Sequence, residues 1–451
     1  MVEVRRCEVL VVGGGPGGYV AGIRSAQLGL DTVIVEGSKY GGTCLIRGCI
    51  PSKAIIHAAD RFESLSQHAK EGGHMGISVH GSPSLNMKDL VGWKDSIVDR
   101  LNKGVESLLK TAGAEVIHGW ATFTGAKTCR VEMDGEQLDI EANNVIIATG
   151  SSHIDLPFMP CDEDLILSST GALDLQELPE TAAIVGGGYI GLELGCALAK
   201  LGTKVTVIEG MDDVLAMMDK EIRRPLEIWL KKHGVKIYRN ALARGAERIE
   251  SSEEGKIRLK YEMGGENHSI DVDKILVTVG RKANLSGWGL EETGVRLGPD
   301  GRFIRTDRKC RTNIPGVYAI GDVSGEPMLA HKASAEGEMV AEIISGLERE
   351  FDNVAIPAIV FTEPEIVSVG LSPEEAKAAG HPVIIGKFPL GANGRALTQE
   401  AEKSAGFIRI CAREDDHRIL GIQGVGTHIS ELVGEWTLAL EMGALLEDVA
   451  G

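Results

Sequence analysis

The sequence has no excess of basic residues. Lys and Arg number 47 against 65 Asp and Glu, a formal net charge of −18 over 451 residues. A nucleic-acid or anionic-membrane surface needs a basic face, so neither is expected as a partner. No apolar run approaches the ~20 residues that span a bilayer. The N-terminus lacks the apolar stretch of a signal peptide, because Glu3, Arg5, Arg6 and Glu8 interrupt it. The pair Arg5-Arg6 resembles a twin-arginine signal, but a short strand-like run ending in glycines follows, so export is not expected. Cysteine is sparse, at 8 residues. That excludes a disulfide-stapled secreted scaffold and makes a reducing, cytoplasmic location the expectation. A disulfide in such a chain is more readily catalytic than structural. Charged residues at 25% and apolar residues at 43% exclude a disordered chain. At about 150 residues per domain, the length suggests roughly three domains.

Glycine is abundant instead, with 58 residues, roughly twice the usual share. No G-x-y period is present, so collagen is excluded. The glycines cluster at the ends of short apolar runs, where a chain turns or lets a ligand approach its backbone.

A repeat sets the expected architecture. Val9-Leu10-Val11-Val12 leads into Gly13, Gly15 and Gly18, a helix-like stretch, Gly29, and a second apolar run ending at Glu36. Ala182-Ala183-Ile184-Val185 leads into Gly186, Gly187, Gly188, Tyr189, Ile190 and Gly191, a helix-like stretch, Gly202, and a run ending at Glu209. The offset between the two is constant. Each reads as strand, G-x-G-x-x-G, helix, strand, acidic residue, which is the dinucleotide fingerprint. The first Gly makes the tight turn, the second admits the pyrophosphate to the backbone and helix N-terminus, and the third packs helix on strand. The terminal Glu accepts from a ribose. Two dinucleotides are therefore expected. Each unit closes on a glycine-ended strand, at Thr149-Gly150 and at Val279-Gly280-Arg281, marking boundaries near 150 and 280. A third such strand ends at Gly321-Asp322, where the carboxylate is placed to accept from a sugar-like hydroxyl. Beyond about 346 come β-like runs at 356–361, 366–370, 407–412 and 419–425, with helical stretches at 373–380 and 430–446. This predicts a C-terminal α+β domain suited to subunit contact.

Between the fingerprints lies Gly41-Gly42-Thr43-Cys44-Leu45-Ile46-Arg47-Gly48-Cys49-Ile50-Pro51-Ser52-Lys53. Two residues five apart on an ideal helix are rotated by about 140°, so a perfect helix would not join the cysteines. Gly48 and Pro51 loosen that turn. Lys53, four after Cys49, shares its helix face and would favour a thiolate. Buried thiols or a metal half-site are the competing readings. C-x4-C is poor zinc spacing with no second pair nearby, so no metal is expected.

These stretches, together with Ile314–Val323 and Met328-Leu329-Ala330-His331-Lys332, resemble the pyridine nucleotide–disulfide oxidoreductases over nearly the whole chain. The likeness is to the dihydrolipoamide dehydrogenase branch, which serves 2-oxoacid dehydrogenase complexes. The resemblance implies FAD at the first fingerprint (Gly13, Gly15, Gly18, Glu36, Gly42, Thr43, Lys53, Gly119, Thr149, Gly150, Gly321, Asp322, Met328, Leu329, Ala330). It implies NAD at the second (Gly186 to Gly191, Glu209, Val279, Gly280, Arg281). It also implies an FAD-binding domain over 1–150, an NAD-binding domain over 151–280, a central segment over 281–345 and a dimerisation domain over 346–451. Cys44 and Cys49 are implied as a redox disulfide, with Cys44 the interchange thiol and Cys49 beside the flavin. Lys53 is implied to pair with Glu193. Implied partners are dihydrolipoamide or lipoyl domains, an E2 core and a second copy of the chain. Glu209, with no Arg before Arg223, favours NAD over NADP.

Two departures stand out. The family usually has Asn and Val where Ile46 and Arg47 lie. It also continues past a stretch like Glu447–Gly451 into a segment with an acid–base His and a Glu. The sequence ends at Gly451, so that histidine is expected to be missing and the last domain truncated. The alternatives are then an impaired flavoprotein binding subunit or a related NADH-dependent disulfide reductase. His428 and Glu431, three apart on an expected helix, share a face and read as an interface pair.

Overall fold

The computed structural model describes residues 3–70, 73, 75–249 and 256–451. The chain divides into two compact units, each assembled from three segments. The first comprises Met1–Ser52, Gly92–Ile154 and Arg281–Asp352; the second comprises Lys53–Val91, Asp155–Gly280 and Asn353–Gly451.

The first unit is built on a mixed sheet ordered Glu115–His118, Thr32–Glu36, Glu3–Val12, Glu136–Ile147, Thr128–Met133, Trp120–Gly125. Val9–Val12 pairs in parallel with Thr32–Val35 on one side and Asn144–Ile147 on the other. Such strands are covered on both faces, which is why they read as unbroken apolar runs. Val9, Leu10 and Val11 are fully buried. The short strand Val317–Ala319, read as glycine-ended in the sequence, lies parallel to Val145–Ile147. Tyr40 closes the core, its hydroxyl donating to the carbonyls of Ile34 and Ile117.

The second unit repeats the device. Lys236–Tyr238, Lys204–Ile208, Thr181–Val185, Lys274–Val277 and Ile166–Leu167 form a parallel sheet. A separate antiparallel sheet follows in the C-terminal region, ordered Ala358–Val360, Glu365–Gly370, Ile419–Gly426, Phe407–Arg413, Val383–Pro389. The fold is thus α/β with two Rossmann-type sheets and a C-terminal α+β region.

The C-terminal region differs from the sequence reading in two places. Val383–Pro389 is an edge strand that is mostly exposed; with neither face fully buried, it carries no apolar alternation to read. The helix expected over 430–446 is three pieces: a 3-10 turn Ile429–Leu432, a helix Val433–Glu441 and a short helix Leu446–Ala450. Gly443, at φ +64°, ends the middle piece. His428 precedes the first in a left-handed conformation and is exposed. His428 and Glu431 therefore do not share a helix face.

Candidate functional site

Each fingerprint folds into an uncapped helix start. In the first unit the helix Pro16–Gln27 begins at Gly15, extended and without a side-chain cap. In the second the helix Tyr189–Leu201 begins at Gly188 in the same conformation, again without a cap. The N–H groups of these two starts are left for a ligand, and the helix dipole favours an anion there. Gly18 and Gly191 are sterically required. A Cβ on Gly18 would lie 1.8 Å from the Gly13 carbonyl oxygen, and one on Gly191 would lie 2.4 Å from that of Gly186. Gly188 faces open space.

The two acidic residues do matching work. The Glu36 carboxylate accepts from Gly14 N at 2.7 Å and Ser38 N at 2.8 Å. The Glu209 carboxylate accepts from Gly187 N at 2.5 Å and Met211 N at 2.7 Å. Each carboxylate is therefore fixed against its own glycine turn, where a ribose would meet it. Donor-rich glycine turns, uncapped helix starts and a fixed carboxylate fit a dinucleotide in both units.

Further residues assemble around the first turn. Gly42 packs so closely on Gly15 that a Cβ on Gly42 would lie 2.5 Å from the Gly15 Cα. Gly119 N donates to the Glu36 carbonyl. Thr149 and Gly150 are bound by Asn284, whose Nδ2 donates to the Thr149 carbonyl at 2.8 Å and whose N–H donates to that of Gly150. Gly321 N donates to Glu336 Oε2 at 2.7 Å, and Asp322 accepts from the Ser151 hydroxyl. Met328 and Leu329 lead into the helix Ala330–Ile344. Arg281, expected beside Val279 and Gly280 at the second dinucleotide, instead sends its guanidinium to Ser151 Oγ at 2.8 Å and to the Ser151 carbonyl at 2.6 Å. Asn284, Ser151 and Glu336 are brought to the site by contacts far apart in the chain, which the sequence does not show.

The cysteines sit on either side of a helix break. Cys44 is half-buried in the helix Gly42–Arg47, and Cys49 is exposed at the start of the helix Cys49–Lys70. Gly48 separates the two helices at φ −147°, ψ −103°, the distortion that an unbroken helix would not allow. Arg47 is exposed, in the last turn of the first helix. Burial pushes the phenol of Tyr19 above its ordinary value, and charge on Cys44 and Cys49 acts in the same direction; one ring thus senses both cysteines. On the helix Cys49–Lys70, Lys53 Nζ lies 2.8 Å from Glu193 Oε2. It also sits 4.4 Å over the Phe361 ring, and Phe361 N donates to Glu193 Oε1 at 2.9 Å.

Comparison with known proteins decides the family. Residues 7–337 match the family described as pyridine nucleotide-disulphide oxidoreductase, and residues 356–451 match its dimerisation domain. The chain belongs to the pyridine nucleotide-disulphide oxidoreductases. A Pseudomonas aeruginosa protein named dihydrolipoyl dehydrogenase is 47% identical over 452 residues, spanning 100% of this chain and 94% of the relative. A Geobacillus stearothermophilus protein of the same name is 45% identical, spanning 98% and 92%. The crystal structure of LpdA from Mycobacterium tuberculosis superposes with a TM-score of 0.89 at 27% identity, covering 99% of this chain and 95% of that one. The chain is therefore an oxidoreductase of the flavin- and NAD-dependent disulfide class. No helix among the described residues is long and apolar enough to cross a membrane.

Proposed function

We propose that this chain oxidises dihydrolipoamide, free or as the lipoyl group of a 2-oxoacid dehydrogenase complex, with NAD+ as the final acceptor. Supporting this are the full-length relatives that carry the name dihydrolipoyl dehydrogenase. The observation that carries the reading is the loop from Gly41 to Cys49. It seats Gly42 on the Gly15 turn and breaks its helix at Gly48, between the two cysteines.

Bound FAD supplies a two-electron store between a dithiol and a nicotinamide. The rest is done by this chain. A substrate thiolate attacks the Cys44–Cys49 disulfide at Cys44, releasing Cys49 as thiolate and forming a mixed disulfide. The second substrate thiol attacks that mixed disulfide, releasing oxidised lipoamide and leaving both cysteines reduced. Two electrons and two protons leave the substrate, and one disulfide is exchanged for another. Lys53 holds positive charge beside the emerging Cys49 thiolate, and Glu193 fixes Lys53 in place. Gly13, Gly15, Gly18 and Glu36 hold the flavin nucleotide, and Gly186 to Gly191 with Glu209 hold NAD. A homodimer through residues 356–451, an E2 core as docking partner and a cytoplasmic location complete the proposal.

Anaerobic addition of one equivalent of dihydrolipoamide to FAD-loaded protein tests it. Wild type consumes one equivalent and gains two titratable thiols, whereas Cys49→Ser consumes none. Equal consumption by the variant would refute the disulfide route.

A further inference from the structure

One face of the helix Tyr189–Leu201 carries Glu193, Cys196 and Lys200, at steps of three and four. All three are buried, and all three meet the same short segment, 361–363. Phe361 N donates to Glu193, the Glu363 backbone hydrogen-bonds the Cys196 sulfur, and Glu363 Oε2 lies 3.0 Å from Lys200 Nζ. The same helix face meets the helix Cys49–Lys70 twice. Lys53 pairs with Glu193 at 2.8 Å, and Asp60 pairs with Lys200 at 2.6 Å. Both pairs are separated by 140 residues in the chain. Seven residues apart on each helix is about two turns, or about 10.5 Å, so the helices run parallel and are joined at two levels. The polarity alternates: cation to anion at the first level, anion to cation at the second. A third tie follows, where Glu63 binds His233 at 3.0 Å; His233 stacks on Trp229, and Lys200 Nζ lies 5.4 Å from that indole.

Ile55 and Ala59 of one helix and Leu192 and Cys196 of the other also belong to one apolar core. Apolar contact is non-directional and resists a sliding or rotating helix poorly. Buried ion pairs add little net stability, because desolvation consumes the Coulomb gain, but removing one partner is costly and the pairs specify register. Lys200 is only 9% exposed. Burial alone would lower its pKa, but the charges of Glu363 and Asp60 reverse that and raise it above the ordinary lysine range, so it stays cationic.

We propose that Lys200, held by Asp60 and Glu363, is a positioning residue that sets the register of the helix Cys49–Lys70 and thereby the placement of the Lys53–Glu193 pair. The inference rests on the proposed function, and adds to it that the charge of this pair acts on the bound flavin. Lys200 touches neither substrate nor cofactor in this role. It acts through the helix, two turns from the pair it places.

A double-mutant cycle on FAD-loaded protein tests this, reading the flavin midpoint potential and Tm together. Glu193→Gln shifts the potential. Lys200→Met shifts it in the same direction by at least half as much, and the double variant moves it no further than Glu193→Gln alone. Lys200→Arg restores the wild-type potential. Asp60→Asn, whose side chain is 42% exposed, gives a smaller shift of the same sign and carries the test if Lys200→Met does not fold. A Lys200→Met protein with lowered Tm and an unmoved potential would overturn the positioning role, as would strictly additive shifts. An unmoved potential in Glu193→Gln would overturn the tuning role of the Lys53–Glu193 pair and the positioning role with it.

Discussion

Lys53 and Glu193 form an ion pair in which one partner is almost fully buried and the other is not: the side chains are 6% exposed for Glu193 and 33% for Lys53. Glu193 is satisfied on both oxygens, by Lys53 and by Phe361 N. Removing its charge would weaken the hold on Lys53, one turn along the helix from Cys49. Glu193→Gln is expected to slow dihydrolipoamide-dependent turnover by roughly tenfold or more, about 1.4 kcal/mol, while NADH-to-dye activity falls less. Stopped-flow comparison of the two half-reactions checks this. Equal losses in both would place the effect elsewhere.

Glu209 is expected to set the choice of nicotinamide cofactor. Its oxygens are held by Gly187 N and Met211 N, which leaves the carboxylate fixed where a 2′-hydroxyl would donate and a 2′-phosphate would be repelled. Hydrogen bonds to charged groups are worth about 1.5–3 kcal/mol. Glu209→Ala should therefore raise the KM for NAD+ about 10- to 100-fold and shrink the preference over NADP+. Steady-state kinetics with both nucleotides measures it.

Six of the eight cysteines should be silent in the native protein. Burial pushes the thiols of Cys7, Cys129, Cys161 and Cys196 up to about 12, and raises those of Cys310 and Cys411. A thiol of pKa near 12 is roughly 10⁻⁴ ionised at pH 8, and only the thiolate reacts. Reduced native protein at pH 8 should show two fast thiols, Cys44 and Cys49, and six at least 100-fold slower. Denaturant should release all eight. A third fast native thiol would contradict this packing.

Asp213, in the loop after Glu209, pairs with Arg223 and Arg239. Burial raises its pKa, but a hydrogen bond from Arg239 and the charges of Arg223 and Arg239 outweigh it and hold the carboxyl below 3.8. Next to it, Leu215 N donates to the Gly187 carbonyl at 2.9 Å. A depressed folded pKa contributes stability above the unfolded value and loses it as pH falls through the folded one. Asp213→Asn should cost about 1–3 kcal/mol at pH 7, and the difference from wild type should shrink below about pH 4. Urea melts at pH 7 and pH 3.5 test the sign.

Much of the fold was legible because its signals are local. Gly18 is dictated by a backbone contact five residues back, at the Gly13 carbonyl, and the apolar strands by burial on both faces. The Cys44–Cys49 segment was legible through Gly48, whose break the spacing requires. What sequence could not give were contacts made across the chain. Arg281 turns to Ser151, 130 residues away, and Lys200 meets Asp60 and Glu363 from two distant segments. No periodicity encodes such meetings. The helix expected over 430–446 is interrupted by the turn at Gly443, which the local apolar pattern does not show.

The proposed function stands on thiol-to-NAD+ electron transfer through Cys44 and Cys49. The most direct measurement is dihydrolipoamide-dependent NAD+ reduction by the FAD-loaded protein, with NADP+ and Cys49→Ser as controls. Turnover is expected with NAD+, at least tenfold less with NADP+, and none in the variant. FAD-loaded protein that reduces NAD+ equally well with and without Cys49, or does not reduce it at all, would contradict it.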